Sequence, residues 1–135
     1  MNLDLALLAD YANLTADGKL NILGVFQVLQ AVSFPVALPQ MQVVMSFEAG
    51  VAEASEEHKV DLQLIDADGK RLFAVSGQMA VGAIRAGEQF HAHHILTINN
   101  LRFDRPGDYR FDIFIDGQSV KELPLRVVER SAPKN

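Results

Sequence analysis

Alternation of apolar and polar residues with a period of two is the feature that most constrains how this chain can fold. Turn signals interrupt the alternation about every ten residues, as in proteins built from short antiparallel strands. Three Asp-Gly steps, Asp17-Gly18, Asp68-Gly69 and Asp116-Gly117, separate alternating runs. Such pairs tolerate the positive φ angles of two-residue hairpin turns. The pattern therefore predicts a hairpin at each of these positions.

Eight strands are predicted from the alternating runs, at 3–13, 20–29, 41–49, 58–66, 71–80, 90–99, 109–116 and 119–128. The first run is rich in Leu and Ala and could be helical. Alternation from Leu3 to Tyr11 and the Asp-Gly turn that follows favour a strand instead. No segment keeps an apolar stripe of period 3.6 for long enough to predict a helix. We therefore predict an all-β chain.

The same alternation predicts which side chains face the core. The residues predicted to point inward from the third, fourth, seventh and eighth strands are Met41, Val43, Met45, Phe47, Val60, Leu62, Leu64, Tyr109, Phe111, Ile113, Ile115, Leu123, Leu125 and Val127. Antiparallel strands with one apolar and one polar face typically form a sandwich of two sheets. Because Pro124 lacks an N–H donor for the ladder, the last strand is expected to lie at a sheet edge or to carry a bulge.

A tyrosine near the end of the chain indicates the type of sandwich. The segment 101–111, Leu-Arg-Phe-Asp-Arg-Pro-Gly-Asp-Tyr-Arg-Phe, resembles the approach to the penultimate strand of immunoglobulin-like sandwiches. In those domains a tyrosine two residues before an inward core position folds back on the preceding corner. Tyr109 and Phe111 would fill these two places. The resemblance implies an immunoglobulin-like antiparallel β-sandwich of seven or eight strands, and it implies no function.

A second resemblance covers nearly the whole chain. The segments that carry it are 9–15 (Ala-Asp-Tyr-Ala-Asn-Leu-Thr), 17–26 (Asp-Gly-Lys-Leu-Asn-Ile-Leu-Gly-Val-Phe), Phe34-Pro35, Pro39-Gln40, 66–69 (Asp-Ala-Asp-Gly) and the Gly-x-Tyr-x-Phe of 107–111. Together they resemble a family of small bacterial proteins of unknown function. The resemblance implies the sandwich fold and transfers no catalytic residue.

Length and composition limit what the chain can be. Its 135 residues have room for one domain, which we predict over 1–130 with a flexible tail at 131–135. It contains no cysteine, which excludes disulfides and thiolate chemistry. The net charge of −5 disfavours nucleic-acid binding. The N-terminal segment lacks a basic region and is interrupted by Asp4 and Asp10, so we expect neither a signal peptide nor a membrane span. We expect a cytoplasmic protein.

Histidine offers the best candidate chemistry. His91 and His93 lie two apart on one predicted strand, so both could offer an imidazole to one metal ion, as in cupin-like sites. No acidic residue follows at 95–100, and the apolar residues at even positions place both histidines outside the core. We therefore expect solvent-facing histidines, with no stoichiometric metal and no cofactor. His94, on the apolar face, is expected to be a hydrogen-bonded core residue.

Other candidate motifs are incomplete. Glu53, Glu56 and Glu57 form an acidic loop that could bind a divalent ion weakly or could equally be a solvated linker. The Asp-Ala-Asp-Gly of 66–69 lacks the later ligands of a calcium loop, which favours a hairpin turn. Nucleophile-elbow and phosphate-loop motifs do not occur. We therefore do not expect an enzyme.

Outward-facing apolar residues give the sequence its one functional indication. Five of them, Leu23, Val25, Val44, Ile65 and Phe114, fall on predicted polar faces, and several on one sheet would form a surface typical of protein contacts. We expect a protein-interaction or structural module that forms a homodimer, or binds another protein, through a face bearing Val44, Ile65 and Phe114. The alternative is a small-ligand-binding domain with a pocket under the loops 33–40 and 82–89.

Overall fold

The computed structural model describes residues 1–131, which form two packed β-sheets. The nine strands of this part of the chain are β1 (Asn2–Leu14), β2 (Leu20–Val25), β3 (Val28–Ala31), β4 (Val36–Ala49), β5 (Glu57–Ile65), β6 (Arg71–Ala80), β7 (Phe90–Phe103), β8 (Gly107–Ile115) and β9 (Gln118–Glu129). The first sheet has the order β2-β1-β4-β7 and the second sheet the order β3-β9-β8-β5-β6. A single 3-10 turn, Val51–Glu53, precedes β5. The all-β prediction is confirmed.

The predicted strand at 20–29 is in fact two strands in different sheets. Gly24 has a φ of +71°, and the chain leaves the first sheet after Val25. Phe26 turns inward to pack against the core, and its N–H donates to the carbonyl of Leu8 at 3.0 Å. The chain then enters the second sheet as β3, which pairs in parallel with β9. The prediction of a wholly antiparallel sandwich is therefore wrong at this pair.

The loop predicted at 33–40 is a loop only up to residue 35, so the prediction is wrong for residues 36–40. Strand β4 begins at Val36 and pairs with β7 from there onward. Pro39, which suggested a loop, lies where β4 pairs only on the β7 side, since β1 joins β4 only from Gln42. Pro124 is in a comparable position on β9. It pairs with Arg110 of β8, whereas β3 joins β9 only from Arg126. The edge predicted for Pro124 is thus present locally.

All three predicted Asp-Gly hairpins are present. Gly18, Gly69 and Gly117 have φ angles of +83°, +83° and +81°. In the second hairpin, Asp66 Oδ1 accepts the N–H groups of Asp68 and Lys70 at 2.9 and 2.8 Å. The acidic side chain therefore closes the turn, as the hairpin interpretation of 66–69 predicts.

Tyr109 forms the predicted corner at the start of β8. Its hydroxyl donates to the carbonyl oxygen of Arg105 at 2.6 Å, and its ring meets the Phe103 ring edge-on with centroids 4.9 Å apart. Burial of the ring raises the pKa of Tyr109. The immunoglobulin-like arrangement that this corner implies stays a prediction.

The main core lies between the sheets and contains every residue predicted to face inward, with Val60 only partly buried. Of the predicted tail 131–135, all but Ser131 lies outside the described residues. Within residues 1–131, no helix is both long enough and apolar enough to cross a membrane. A cytoplasmic location stays a prediction.

Candidate functional site

An apolar groove opens where the two sheets end beside each other, between β6 and β7. Within residues 1–131, β6 pairs on one side only, with β5, and β7 pairs on one side only, with β4. The groove has a volume of about 170 Å³. Phe47 and Leu62 form its buried floor, while Val75, Met79 and Leu96 line its sides. The sandwich is therefore open along this side.

Gly77 explains why there is space in the groove. Pairing of Leu62 with Val75 and of Val60 with Gly77 places these β6 positions on the inward face of the second sheet. Because residue 77 is a glycine, the inward face of β6 has no side chain at this position. A Cβ built there meets no atom of the described chain within 4 Å.

The free edge of β6 lacks the usual protection against pairing. From Leu72 to Ala80 the strand contains no charged residue and no proline. Natural sheets commonly guard their edges with lysine, proline or a bulge, because an unguarded edge is a template for another strand. Val75, in the centre of β6, is 37% exposed. β6 is thus an uncharged, partly apolar edge beside an apolar groove.

His94 lies at the rim of this groove and is exposed, so the prediction of a core histidine is wrong. The alternation correctly placed His94 on the inward face of β7. Because β7 is the last strand of its sheet, that face opens to solvent at this point.

The predicted ligand pocket cannot form, because its two loops lie at opposite ends of the first sheet. Val36 pairs with Phe103 at one end of β4, and Ala49 pairs with Phe90 at the other. Segment 33–35 precedes Val36, whereas the loop 82–89 leads into Phe90. A β-strand rises about 3.3 Å per residue, which separates the two ends by about 40 Å.

The three residues predicted to form an interaction face are not on one surface. Val44 belongs to the first sheet and is 0% exposed, because Ala12 and Ala9 of β1, with Leu20 and Ile22 of β2, join it in a second apolar cluster. Ile65 and Phe114 lie on the neighbouring strands β5 and β8 of the second sheet and are half-buried. The proposed face is therefore wrong in its composition. Leu23 and Val25, by contrast, are exposed as predicted.

His91 and His93 are exposed on the outer face of the first sheet, as predicted, but they do not act as a pair. The Nδ1 atom of His93 bonds to Ser46 Oγ at 2.5 Å. His91 instead lies beside Glu48, its partner across the β4–β7 ladder, and beside Asp4 of β1. One nitrogen or oxygen atom from each of the three side chains lies within 4.8 Å of the other two, so together they could contact one metal ion. The acidic partners missing from the sequence around His91 thus come from other strands.

A second histidine cluster was not predicted from the sequence. His58 at the start of β5 is buried, and its Nδ1 atom lies 2.6 Å from Asp116 Oδ2 in the β8–β9 hairpin. Its Nε2 atom lies 3.3 Å from Glu53 Oε2 and 3.6 Å from Glu56 Oε2. The hydrogen bonds from His58 and from the Lys59 N–H lower the pKa of Asp116. Three carboxylates therefore surround one buried imidazole.

The fold and the groove define a β-sandwich with one open side. The chain belongs to a family of unknown function, DUF6941, whose model matches residues 4–128. The resemblance of the sequence to a family of unknown function is thereby confirmed. A bacterial source stays a prediction.

No curated protein matches the sequence. Among solved structures, the chain is similar to the Pseudomonas fluorescens alkylpurine DNA glycosylase AlkC bound to DNA containing an abasic site analog, with 15% sequence identity and a TM-score of 0.47. The alignment covers 90% of this chain and 30% of that protein, so the chain spans less than a third of its length. A likeness of this size transfers no activity to the present chain.

Proposed function

We propose that this protein is an immunoglobulin-like, non-enzymatic interaction module that pairs with a second copy of itself, strand β6 against strand β6. The observation that carries this proposal is the uncharged free edge of β6 beside the apolar groove. An added strand gains main-chain hydrogen bonds along such an edge, and its alternate side chains enter pockets beneath it.

The sequence of β6 is what favours a second copy as the occupant. Phe73, Val75 and Met79 point to the inward face, so β6 of a second molecule brings apolar side chains toward the groove. Each copy also supplies the gap at Gly77 that such side chains can fill. Antiparallel pairing about a two-fold axis uses the same surface on both molecules, which is the commonest symmetry of soluble oligomers.

The size of the groove argues against the alternative of a small-ligand-binding domain. Sites for cofactors and similar ligands typically have volumes of about 300–1,000 Å³, whereas this groove has about 170 Å³. A dry cavity of about 150 Å³ holds a molecule the size of benzene. The groove therefore suits one or two apolar side chains of a partner strand.

Sedimentation equilibrium of the untagged protein tests the proposal. We expect a wild-type dimer, and a monomer for Val75→Lys because it places a charge at the centre of the pairing edge. A Cβ at position 77 meets no atom of the described chain within 4 Å, so Gly77→Val narrows the groove from a position with open space, and we expect it to weaken the dimer at an unchanged or higher melting temperature. Leu23→Lys is the matched control, since Leu23 is 69% exposed on β2 at the other side of the sandwich.

A wild type that stays monomeric at several hundred micromolar would refute pairing between copies. Loss of the dimer in Phe114→Lys, but not in Val75→Lys, would place the interface on the outer face of the second sheet instead. Equal loss in Leu23→Lys would mean that added charge, and not the β6 edge, controls association.

A further inference from the structure

We propose that Glu53, Glu56 and His58 form a binding site for one divalent transition-metal ion, with Zn²⁺ the best fit, and that Asp116 positions the His58 imidazole. The three ligand atoms come from the 3-10 turn, the segment after it and the start of β5. This site is independent of the β6 edge. It departs from the sequence-based expectation of no stoichiometric metal, which rested on His91 and His93 alone.

The distances between the ligand atoms fit one tetrahedral ion. Nitrogen and oxygen ligands bind Zn²⁺ at about 2.0–2.2 Å, so two such ligands on one tetrahedron lie about 3.3–3.6 Å apart. The Nε2 atom of His58 lies 3.3 Å from Glu53 Oε2 and 3.6 Å from Glu56 Oε2. One ligand atom from each of the three residues lies within 4.8 Å of the others.

The burial of His58 is a second and independent indication. Its side chain is only 8% exposed, and among the described residues its Nε2 atom has no hydrogen-bond partner, although Glu53 Oε2 is near. Buried polar side-chain atoms nearly always have a partner. A metal ion between the imidazole and the two carboxylates would supply one.

Asp116 gives the imidazole the orientation that a metal ligand needs. Nδ1 of His58 donates to Asp116 Oδ2 at 2.6 Å, which leaves the lone pair of Nε2 directed toward Glu53 and Glu56. The backbone N–H of Lys59 holds the other oxygen of Asp116 at 2.9 Å. A carboxylate behind the histidine is the usual support of metal-binding histidines.

The ligand set favours zinc over calcium or magnesium. An imidazole nitrogen suits Zn²⁺, whereas Ca²⁺ and Mg²⁺ prefer oxygen ligands alone. Two other cations compete for the site. The amino group of Met1 contacts Glu53 Oε2, and a proton on Nε2 would make His58 a cation between the carboxylates. Metal binding must displace both.

The cluster of Asp4, Glu48 and His91 carries no equal argument. Asp4 and His91 are exposed, and Glu48 is half-buried. Solvent can satisfy these side chains without an ion. His91 therefore provides the matched control for His58.

Zn²⁺ titration of the tag-free protein at neutral pH, by calorimetry and by competition with a chromophoric chelator, tests the proposal. We expect one Zn²⁺ per chain, a loss of affinity of tenfold or more in Glu56→Gln, and a loss of 10- to 100-fold in Asp116→Asn. Glu56 is more than half exposed, so Glu56→Gln is expected to fold normally. His91→Ala should bind as the wild type does.

Two results would overturn the proposal. One is a wild type without stoichiometric Zn²⁺ binding, which would leave the Met1 amino group or a proton as the cation of the site. The other is binding that His91→Ala abolishes and Glu56→Gln preserves, which would assign the ion to the outer face of the first sheet.

Discussion

Removal of the Tyr109 hydroxyl measures how much the corner stabilises the sandwich. Tyr109→Phe deletes one hydrogen bond, to the carbonyl oxygen of Arg105 at 2.6 Å, and leaves the ring in place. Arg105 lies in the exposed segment 104–106 just before β8, and the hydrogen bond itself is partly buried. We therefore expect a loss of about 1 kcal/mol, the net contribution of one hydrogen bond.

Tyr109→Ala additionally removes a ring that is 95% buried, since Tyr109 is 5% exposed. Truncation of a large buried aromatic side chain costs about 3–5 kcal/mol. For a domain of this size, about 1 kcal/mol lowers the melting temperature by about 3–6 °C. The two variants should therefore differ clearly in thermal and urea unfolding followed by circular dichroism.

Tyr11 provides the matched control, because it is the other of the two tyrosines and is 49% exposed on β1. Tyr11→Phe should leave the melting temperature unchanged. Because the chain has no tryptophan, phenolate absorbance also reports the corner: the ionisation that disappears in Tyr109→Phe should lie above the ordinary tyrosine pKa of 10.0. Unchanged stability in both Tyr109 variants would show that the corner does not hold β8.

Two further changes follow from buried or paired polar groups. Gln42→Ala should destabilise the fold by about 1–3 kcal/mol, because it leaves the buried Ala12 N–H without an acceptor. The Gln42 side-chain oxygen accepts that N–H, and its NH₂ group donates to Thr97 Oγ1 at 3.1 Å. Urea unfolding measures the loss of stability, and the Ala12 amide should exchange its hydrogen faster in the variant. Asp116→Asn should make the free energy of unfolding less dependent on pH in the acid range. The folded-state pKa of Asp116 lies below 3.8, so the ionised side chain stabilises the fold above pH 3.8, and this contribution is lost as the pH falls through the folded-state pKa. Unfolding free energies measured from pH 6 to pH 2 would contradict this reasoning if wild type and variant ran parallel.

Local sequence pattern was enough to predict most of the strands and turns. Asp-Gly pairs fix hairpins because their φ angles are a property of the residues themselves. The Tyr109 corner was equally predictable, since its hydrogen bond reaches back only four residues, to Arg105. Alternation also assigned the inward faces correctly, because it depends only on neighbours along one strand.

What could not be predicted depends on which strands become neighbours. Alternation placed Val44 on the outer face but could not show that the β1–β2 hairpin packs against it. It placed His94 on the inward face but could not show that β7 ends its sheet. His58 and Asp116 are 58 residues apart and meet only because β5 pairs with β8, with Val60 opposite Ile115.

The uncharged edge of β6 also has a consequence for the protein when it is not paired. Segments of six or seven residues with high β-propensity, low charge and no proline are typical of the strands that build amyloid-like fibrils. The stretch from Leu72 to Ala80 is uncharged and free of proline, and Val75 lies exposed within it. Pairing between copies would cover this stretch, so association would also act as protection. Under the proposed pairing, mild heating that separates the copies without unfolding the sandwich should therefore be the condition under which ordered aggregation begins at β6.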